Sequence, residues 1–273
     1  METLDIQPYI VAREGLLDAV EALGPHREAV ILVGAQAVYV HTGAYDSDFA
    51  VSPFTLDADI AIDPDLLGDF PILIEAMGEA GFKPTTQPGI YTREDGSHID
   101  LLVPEAVGGP GSRGARLGVH GNRAARKTHG LEGALVSHKA TSIRSMVPGS
   151  KRHCTLKVAG PGALLVAKVH KIAERIDDPS RRSRLHKDAF DIYRLLRSVG
   201  TTTLADEFRV LESAEVSREV TAEALAKFEE LFVSRSGLGT DLVVQHVFGI
   251  EDPDFIAESC VAFSEDLMSE RSR

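Results

Sequence analysis

The sequence predicts an α+β fold, a mixed-sheet lobe over residues 1–155 followed by a helical C-terminal lobe over 156–273. Three observations carry that expectation. A β-branched run ends at a glycine and continues with helical composition over residues 29–42. A second run, 55–62, alternates with period two, and a hairpin signal follows at 89–103. Beyond Ala163 the apolar residues fall at helical spacing.

Taken in order, Pro8 to Leu23 places Ile10, Val11, Leu16, Leu17, Val20 and Leu23 at helical intervals before Gly24-Pro25. Ala29-Val30-Ile31-Leu32-Val33 is a strand that stops at Gly34, and Ala35 to Val40 is a helix ended by Gly43. Tyr45 to Pro53 is polar and loop-like. Thr55 to Ile62 is a second strand with Asp57 and Asp59 on one face. Pro64 to Ala80 is expected to be helical, burying Leu67, Phe70, Leu73, Ile74 and Met77. Gly89–Arg93 and His98–Val103 flank Glu94-Asp95-Gly96-Ser97, whose Asp-Gly pair favours a tight hairpin turn, and Asp100 lies on the second strand. Residues 106–130 are rich in Gly, Arg and His without apolar periodicity, so an exposed basic loop is expected there. A helix begins at Ala163, carries Lys168, Lys171 and Arg175, and ends near Asp177-Asp178-Pro179. A further helix holds Lys187-Asp188-Ala189-Phe190-Asp191, and two or three acidic amphipathic helices complete the chain.

The composition narrows the function classes. With 43% hydrophobic and 26% charged residues among 273, the chain is neither disordered nor fibrous, and two cysteines exclude a disulfide scaffold. Met1-Glu2-Thr3-Leu4-Asp5 is acidic where a secretory leader is basic, and no apolar run reaches the ~20 residues of a membrane span, so a reduced, cytoplasmic protein with no membrane partner is expected. The net charge is −12, yet residues 113–187 hold seventeen Lys and Arg against four acids. Local cationic density of this kind suits a polyanion, although a solvated basic face has the same composition.

The residues with chemistry are carboxylates. Asp57 and Asp59 at i and i+2 of a strand point the same way, and Asp100 comes from another strand. Three such oxygens suit hard divalent cations, and two Mg²⁺ ions ~3.5–4 Å apart would activate a hydroxyl and neutralise a triphosphate. Gly34 lets the backbone come close to phosphates, and the following helix N-terminus supplies N–H donors. Lys168, Lys171 and Arg175 share one helical face, as do Asp188 and Asp191. The histidines, among them His120, His129, His138 and His153, have no metal-ligand spacing and are expected to add to the basic surface. Gly-x-Ser-x-Gly and Gly-x-Gly-x-x-Gly are absent, which disfavours hydrolase and dinucleotide-binding readings.

Val33-Gly34-Ala35, Leu56-Asp57-Ala58-Asp59-Ile60 and Ile99-Asp100-Leu101 together resemble the motifs of the DNA polymerase beta-like nucleotidyltransferases. Lys168-Val169-His170-Lys171-Ile172-Ala173-Glu174-Arg175 and Lys187-Asp188-Ala189-Phe190-Asp191 resemble two helical motifs of the AbiEii-type and MenT-type toxins within that superfamily. The resemblance spans roughly residues 29–196 and implies a nucleotidyltransferase-type fold. It also implies a Mg²⁺-dependent enzyme that transfers NMP from an NTP to an RNA acceptor, such as a tRNA 3′ end, and that is paired with an antitoxin protein. Catalysis would then fall to Asp57, Asp59, Asp100, Lys168, Asp188 and Asp191, with Asp57, Asp59 and Asp100 holding the metal. Nucleotide binding would fall to Gly34, Ala35, Gln36, Lys171 and Arg175. Ala35 stands where the family has Ser or Gly, so a hydroxyl is missing and Gln36 is expected to provide a contact instead. Transfer to a small molecule or to a protein, and a catalytically silent nucleotide- or RNA-binding module, are the alternatives.

Overall fold

The structure, a computed structural model, describes residues 7–43, 55–111, 113–176 and 182–273. The polar stretch Tyr45 to Pro53, the acidic start Met1 to Asp5 and the helix end at Asp177–Pro179 lie outside the described residues.

The fold is α+β. Its sheet runs β3(Lys83–Pro84), β4(Ile90–Thr92), β5(His98–Pro104), β2(Asp57–Ile62), β1(Val30–Val33), β8(His153–Ala159), β7(His138–Arg144), with β6(Arg126–Thr128) alongside the end of β5. The sheet is mixed: β1 is antiparallel to β2 and parallel to β8, while β2 is parallel to β5. β1 is central because all four of its residues are apolar and buried, which suits a strand with neighbours on both edges. β8 belongs to the sheet, so the expected boundary after residue 155 falls inside a strand and the sheet lobe runs to Ala159.

α1(Gln7–Ala22) lies against β2, β5 and β8, and α2(Gly34–Thr42) lies against β1 and β2 as well as against two helices of the C-terminal lobe. Those two are α5(Pro161–Arg175), on which the short α4(Gly133–Val136) packs, and α6(Arg182–Ser198). α7(Thr201–Ser213), α8(Arg218–Phe232), α9(Leu238–His246) and α10(Pro253–Arg271) complete the lobe, one more helix than the upper expectation. One apolar core passes through both lobes, from Leu32 and Ile60 through Leu165 and Ile192 to Phe228 and Leu267. No helix among the described residues is long and apolar enough to cross a membrane.

Three expectations need correction. The segment from Pro64 is not helical until α3(Leu73–Glu79), because Pro71 cannot continue a helix and the preceding turn is held from the side. His120 Nε2 bonds the Gly68 carbonyl at 2.8 Å, and its Nδ1 accepts the Leu73 amide at 3.2 Å. Leu73 and Met77 are buried as expected, whereas Phe70 is 73% exposed. Second, residues 106–111 and 113–130 are folded rather than an exposed loop: Ala115, Leu117, His120, Ala124 and Ala125 are buried, and β6 pairs with β5. Third, β7 and β8 have no counterpart among the expected strands. β7 is an edge strand in which only Ile143 is buried, so the apolar alternation that marks a half-buried strand is missing.

Candidate active site

The site grows from the point where β1 ends and α2 begins. Val33 is paired with Asp59 across the antiparallel ladder, and Asp59 is in turn paired with Asp100 across the parallel one. In-register neighbours present their side chains on the same face, and Asp57 joins them two residues earlier on β2. Topology alone therefore gathers the three acids. Ala58 and Ile60, which alternate with them, are buried on the opposite face.

Gly34 has φ +68°, where side chains are strained, and a Cβ placed on it would come within 2.0 Å of Asp59 Oδ2. The glycine is required first for seating Asp59, since that carboxylate fills the space a side chain would take. Asp59 is 6% exposed and faces Lys171 Nζ at 3.8 Å. Asp57 Oδ1 accepts the Thr55 hydroxyl at 2.6 Å. Burial by itself would raise Asp57, but the Thr55 hydroxyl together with the charges of Lys187, Lys171 and Lys168 holds it below its ordinary value. Asp100 shifts the other way. Burial and the neighbouring charge of Asp59 push it up, with a smaller push from Asp57, against the opposing pull of Arg126, whose Nη2 donates to Asp100 Oδ2 at 2.6 Å.

The opposite wall is built by α5 and α6. Lys168 is buried and its ammonium donates to Asp188 Oδ1 at 2.8 Å and Asp191 Oδ2 at 2.6 Å. Desolvation alone would lower Lys168, yet those two carboxylates hold it well above its ordinary value. Asp188 also accepts from Arg175 Nη1. Burial would raise Asp188, but Lys168, Lys171 and Arg175 bring it down to about 2. Asp188 and Asp191 thus share the lysine, and Asp188 alone adds the arginine. Lys187 is pulled below its ordinary value by burial, against the opposing charges of Asp191 and Asp57.

Between the walls lies a cleft of about 1690 Å³, counting its open mouth, lined by Ala35, Asp57, Asp59, Asp100, Lys171, Arg175, Lys187 and Asp188 among others. A smaller cavity beside it is lined by Gly34, Asp59, Arg126, Lys171 and Arg175. The structure thus brings together every residue singled out from the sequence except Gln36. That side chain is 1% exposed; its Oε1 accepts from Arg13 Nε at 2.8 Å and its amide nitrogen donates to the Asp57 carbonyl at 3.3 Å. Gln36 braces the strand that carries Asp57 and does not face the cleft, because the first turn of α2 points it back toward α1. Lys168 lines the cleft, with its charge shared by Asp188 and Asp191 at the floor.

Sequence reading missed a number of lining residues, among them Arg126, Lys187, Arg184 and His246. Arg126 lies in the stretch expected to be a loop and carries no motif. Lys187 was visible as the first residue of Lys-Asp-x-x-Asp. Arg184 and His246 line the cleft from α6 and α9, and only the packing of α9 on α6 reveals the second. The basic stretch 113–187 is also less free than its composition implies. Arg152 pairs with Asp18 at 2.6 Å and Glu21 at 2.9 Å, Lys157 with Glu28 at 3.2 Å, and Arg126, Lys168 and Arg175 are engaged in the site.

No protein-family model matches the chain, and no curated protein matches it.

Proposed function

We propose that the protein is a nucleotidyltransferase that uses Mg²⁺ to move NMP from an NTP onto an RNA hydroxyl, a tRNA 3′ end being the acceptor that the motif resemblance favours. One observation carries the reading: three strand carboxylates on adjoining, in-register strands face a helix bearing Lys171 and Arg175 across an open cleft. The donor set is all oxygen, which fits a hard cation, and the upward push of Asp59 and Asp57 on Asp100 is a repulsion that such a cation relieves. Asp57, Asp59 and Asp100 would hold it. The chemistry it supplies when bound is neutralisation of the triphosphate and activation of the acceptor hydroxyl.

The chain's own groups do the rest. Lys171 and Arg175 face the cleft and bind phosphate oxygens, and the first amides of α2 add donors at its N-terminus. In the transfer, the acceptor oxygen forms a bond to the α-phosphorus while the bond from that phosphorus to the β-bridging oxygen breaks, and pyrophosphate leaves with the electron pair. Asp100, its Oδ2 held by Arg126, positions the acceptor hydroxyl beside the cation, and the hydroxyl proton passes to water. Lys168 is a positioning residue: it ties α5 to α6 and so sets where Lys171, Arg175 and Lys187 stand.

The reading is tested by incubating the full chain with total RNA, Mg²⁺ and each α-labelled NTP in turn, beside Asp57→Ala/Asp59→Ala. Label in RNA with the wild type only is the expected result. Label in a protein or small molecule instead would redirect the acceptor. No transfer at all, with NTP still bound, would favour a silent binding module, the alternative to which the missing hydroxyl at Ala35 points. A toxin role with a cognate antitoxin belongs to the same reading and is checked by growth arrest on expression that disappears with the double variant.

A further inference from the structure

Sequence spacing speaks against a histidine metal site, yet the fold draws two distant histidines together at the edge of the smaller cavity. His129 follows β6, His170 lies on α5 and Glu223 on α8, and one potential ligand atom from each lies within 4.8 Å of the other two. The imidazoles meet edge to face with centroids 4.6 Å apart. Gly130 makes this approach possible: it has φ +83°, and a Cβ there would sit 2.6 Å from the His170 ring.

The hydrogen bonding around the rings is what a metal site needs. His170 is 1% exposed; its Nε2 lies 2.8 Å from the Val220 carbonyl, and its Nδ1 is buried without a partner. A carbonyl accepts only from N–H, so the proton is on Nε2 and the Nδ1 lone pair is free. His129 has Glu105 Oε2 at 3.2 Å from Nδ1 and Glu223 Oε2 at 3.4 Å from Nε2. Two ligands bound at ~2.0–2.1 Å to one tetrahedral ion lie roughly 3.3 Å apart, so the longer of these two contacts has the span of a ligand pair. The shorter supplies the outer carboxylate that orients a ligating imidazole.

We propose that His129 Nε2, His170 Nδ1 and the Glu223 carboxylate bind a zinc ion, with Glu105 and the Val220 carbonyl fixing the two imidazoles and water completing the fourth position. Two neutral imidazoles and one carboxylate form a donor set zinc favours over Mg²⁺. The half-exposed side chains of Glu223 and Glu105 leave an entry path. The ion joins the sheet lobe to α5 and α8 and so fixes the distance between the lobes. His170 adjoins Lys171, and His129 lies three residues past Arg126. Zinc would therefore set the spacing of the two cations that face Asp59 and Asp100. Binding itself is independent of the proposed transfer reaction.

The test uses the full chain, stripped with a chelator and titrated with Zn²⁺ against a chromogenic competitor; Co²⁺ absorption reports coordination geometry and far-ultraviolet circular dichroism confirms folding. One tight Zn²⁺ per chain is expected for the wild type and for Asp57→Asn/Asp59→Asn, with tight binding lost in His129→Ala and in Glu223→Gln. Glu105→Gln should weaken binding about 10- to 100-fold. Wild type that does not outcompete the chelator, or tight zinc that follows the aspartates instead of His129 and Glu223, overturns the proposal and leaves His129 a hydrogen-bonded bridge between two glutamates.

Discussion

Asp59, Asp100 and Asp188 carry the same carboxyl group into three different roles, and their surroundings decide which. Asp188 falls from 3.8 to about 2 on folding, so the folded state binds fewer protons than the unfolded chain between those values. Its contribution is present above the unfolded value and is lost as pH falls toward 2, about 2 kcal/mol in all. Asp188→Asn should flatten that part of the acid-unfolding profile, as read by denaturant melts from pH 5 to 2. Asp100 has the opposite sign, because burial and the nearby charge of Asp59 disfavour its charged form in the fold, so it takes up a proton at higher pH than a free carboxylate. Removing the opposing cation in Arg126→Ala should raise it further and move the acid limb of the proposed Mg²⁺-dependent transfer to higher pH; an unmoved limb would mean another group titrates. Gly34→Ala meets both a positive φ and Asp59, and should cost ~2 kcal/mol or more and abolish transfer, as checked by thermal melting and label incorporation.

Helices and strands differ in how much of themselves the sequence reveals. β1, β2 and the β4–β5 hairpin were legible because an apolar run stopped by glycine, a period-two sequence pattern and an Asp-Gly turn each leave a local imprint, and the acids were found on β2 and β5. β7 leaves none, and α3 is cut short by Pro71 in spite of a helical stripe. Within the site, motif residues on α5 and α6 were visible as shared helical faces, whereas Arg126 and His246 arrive through packing between segments and have no local sign. Along α5, Lys171 offers its charge to the cleft and Lys168 is locked between two aspartates. Lys171→Ala should therefore weaken NTP binding with little loss of stability. Lys168→Met should unfold the protein more easily, by ~3–5 kcal/mol, since it leaves two buried carboxylates facing each other. Equilibrium NTP binding and urea melts on both variants separate these outcomes. At the far end of the lobe, Asp252 caps α10 by accepting the Phe255 amide at 2.9 Å, and Asp252→Ala should cost ~1 kcal/mol in the same melts.

Both lobes share one apolar core, so they are expected to melt together, and calorimetry should give a single transition with equal calorimetric and van't Hoff enthalpies. The central strand β1 has β2 on one side and β8 on the other, and the second of these pairings joins Ile31 to Lys157. During synthesis the two partners are therefore made far apart in time. At ~5–20 residues per second, β1 waits roughly 6–25 s for its second edge to be covered. The carboxylates wait longer still for α6 and the aspartates that hold Lys168. A nascent chain that has made only the sheet lobe carries the acids without the cationic wall, so the cleft comes into being as one of the last events in the birth of the molecule.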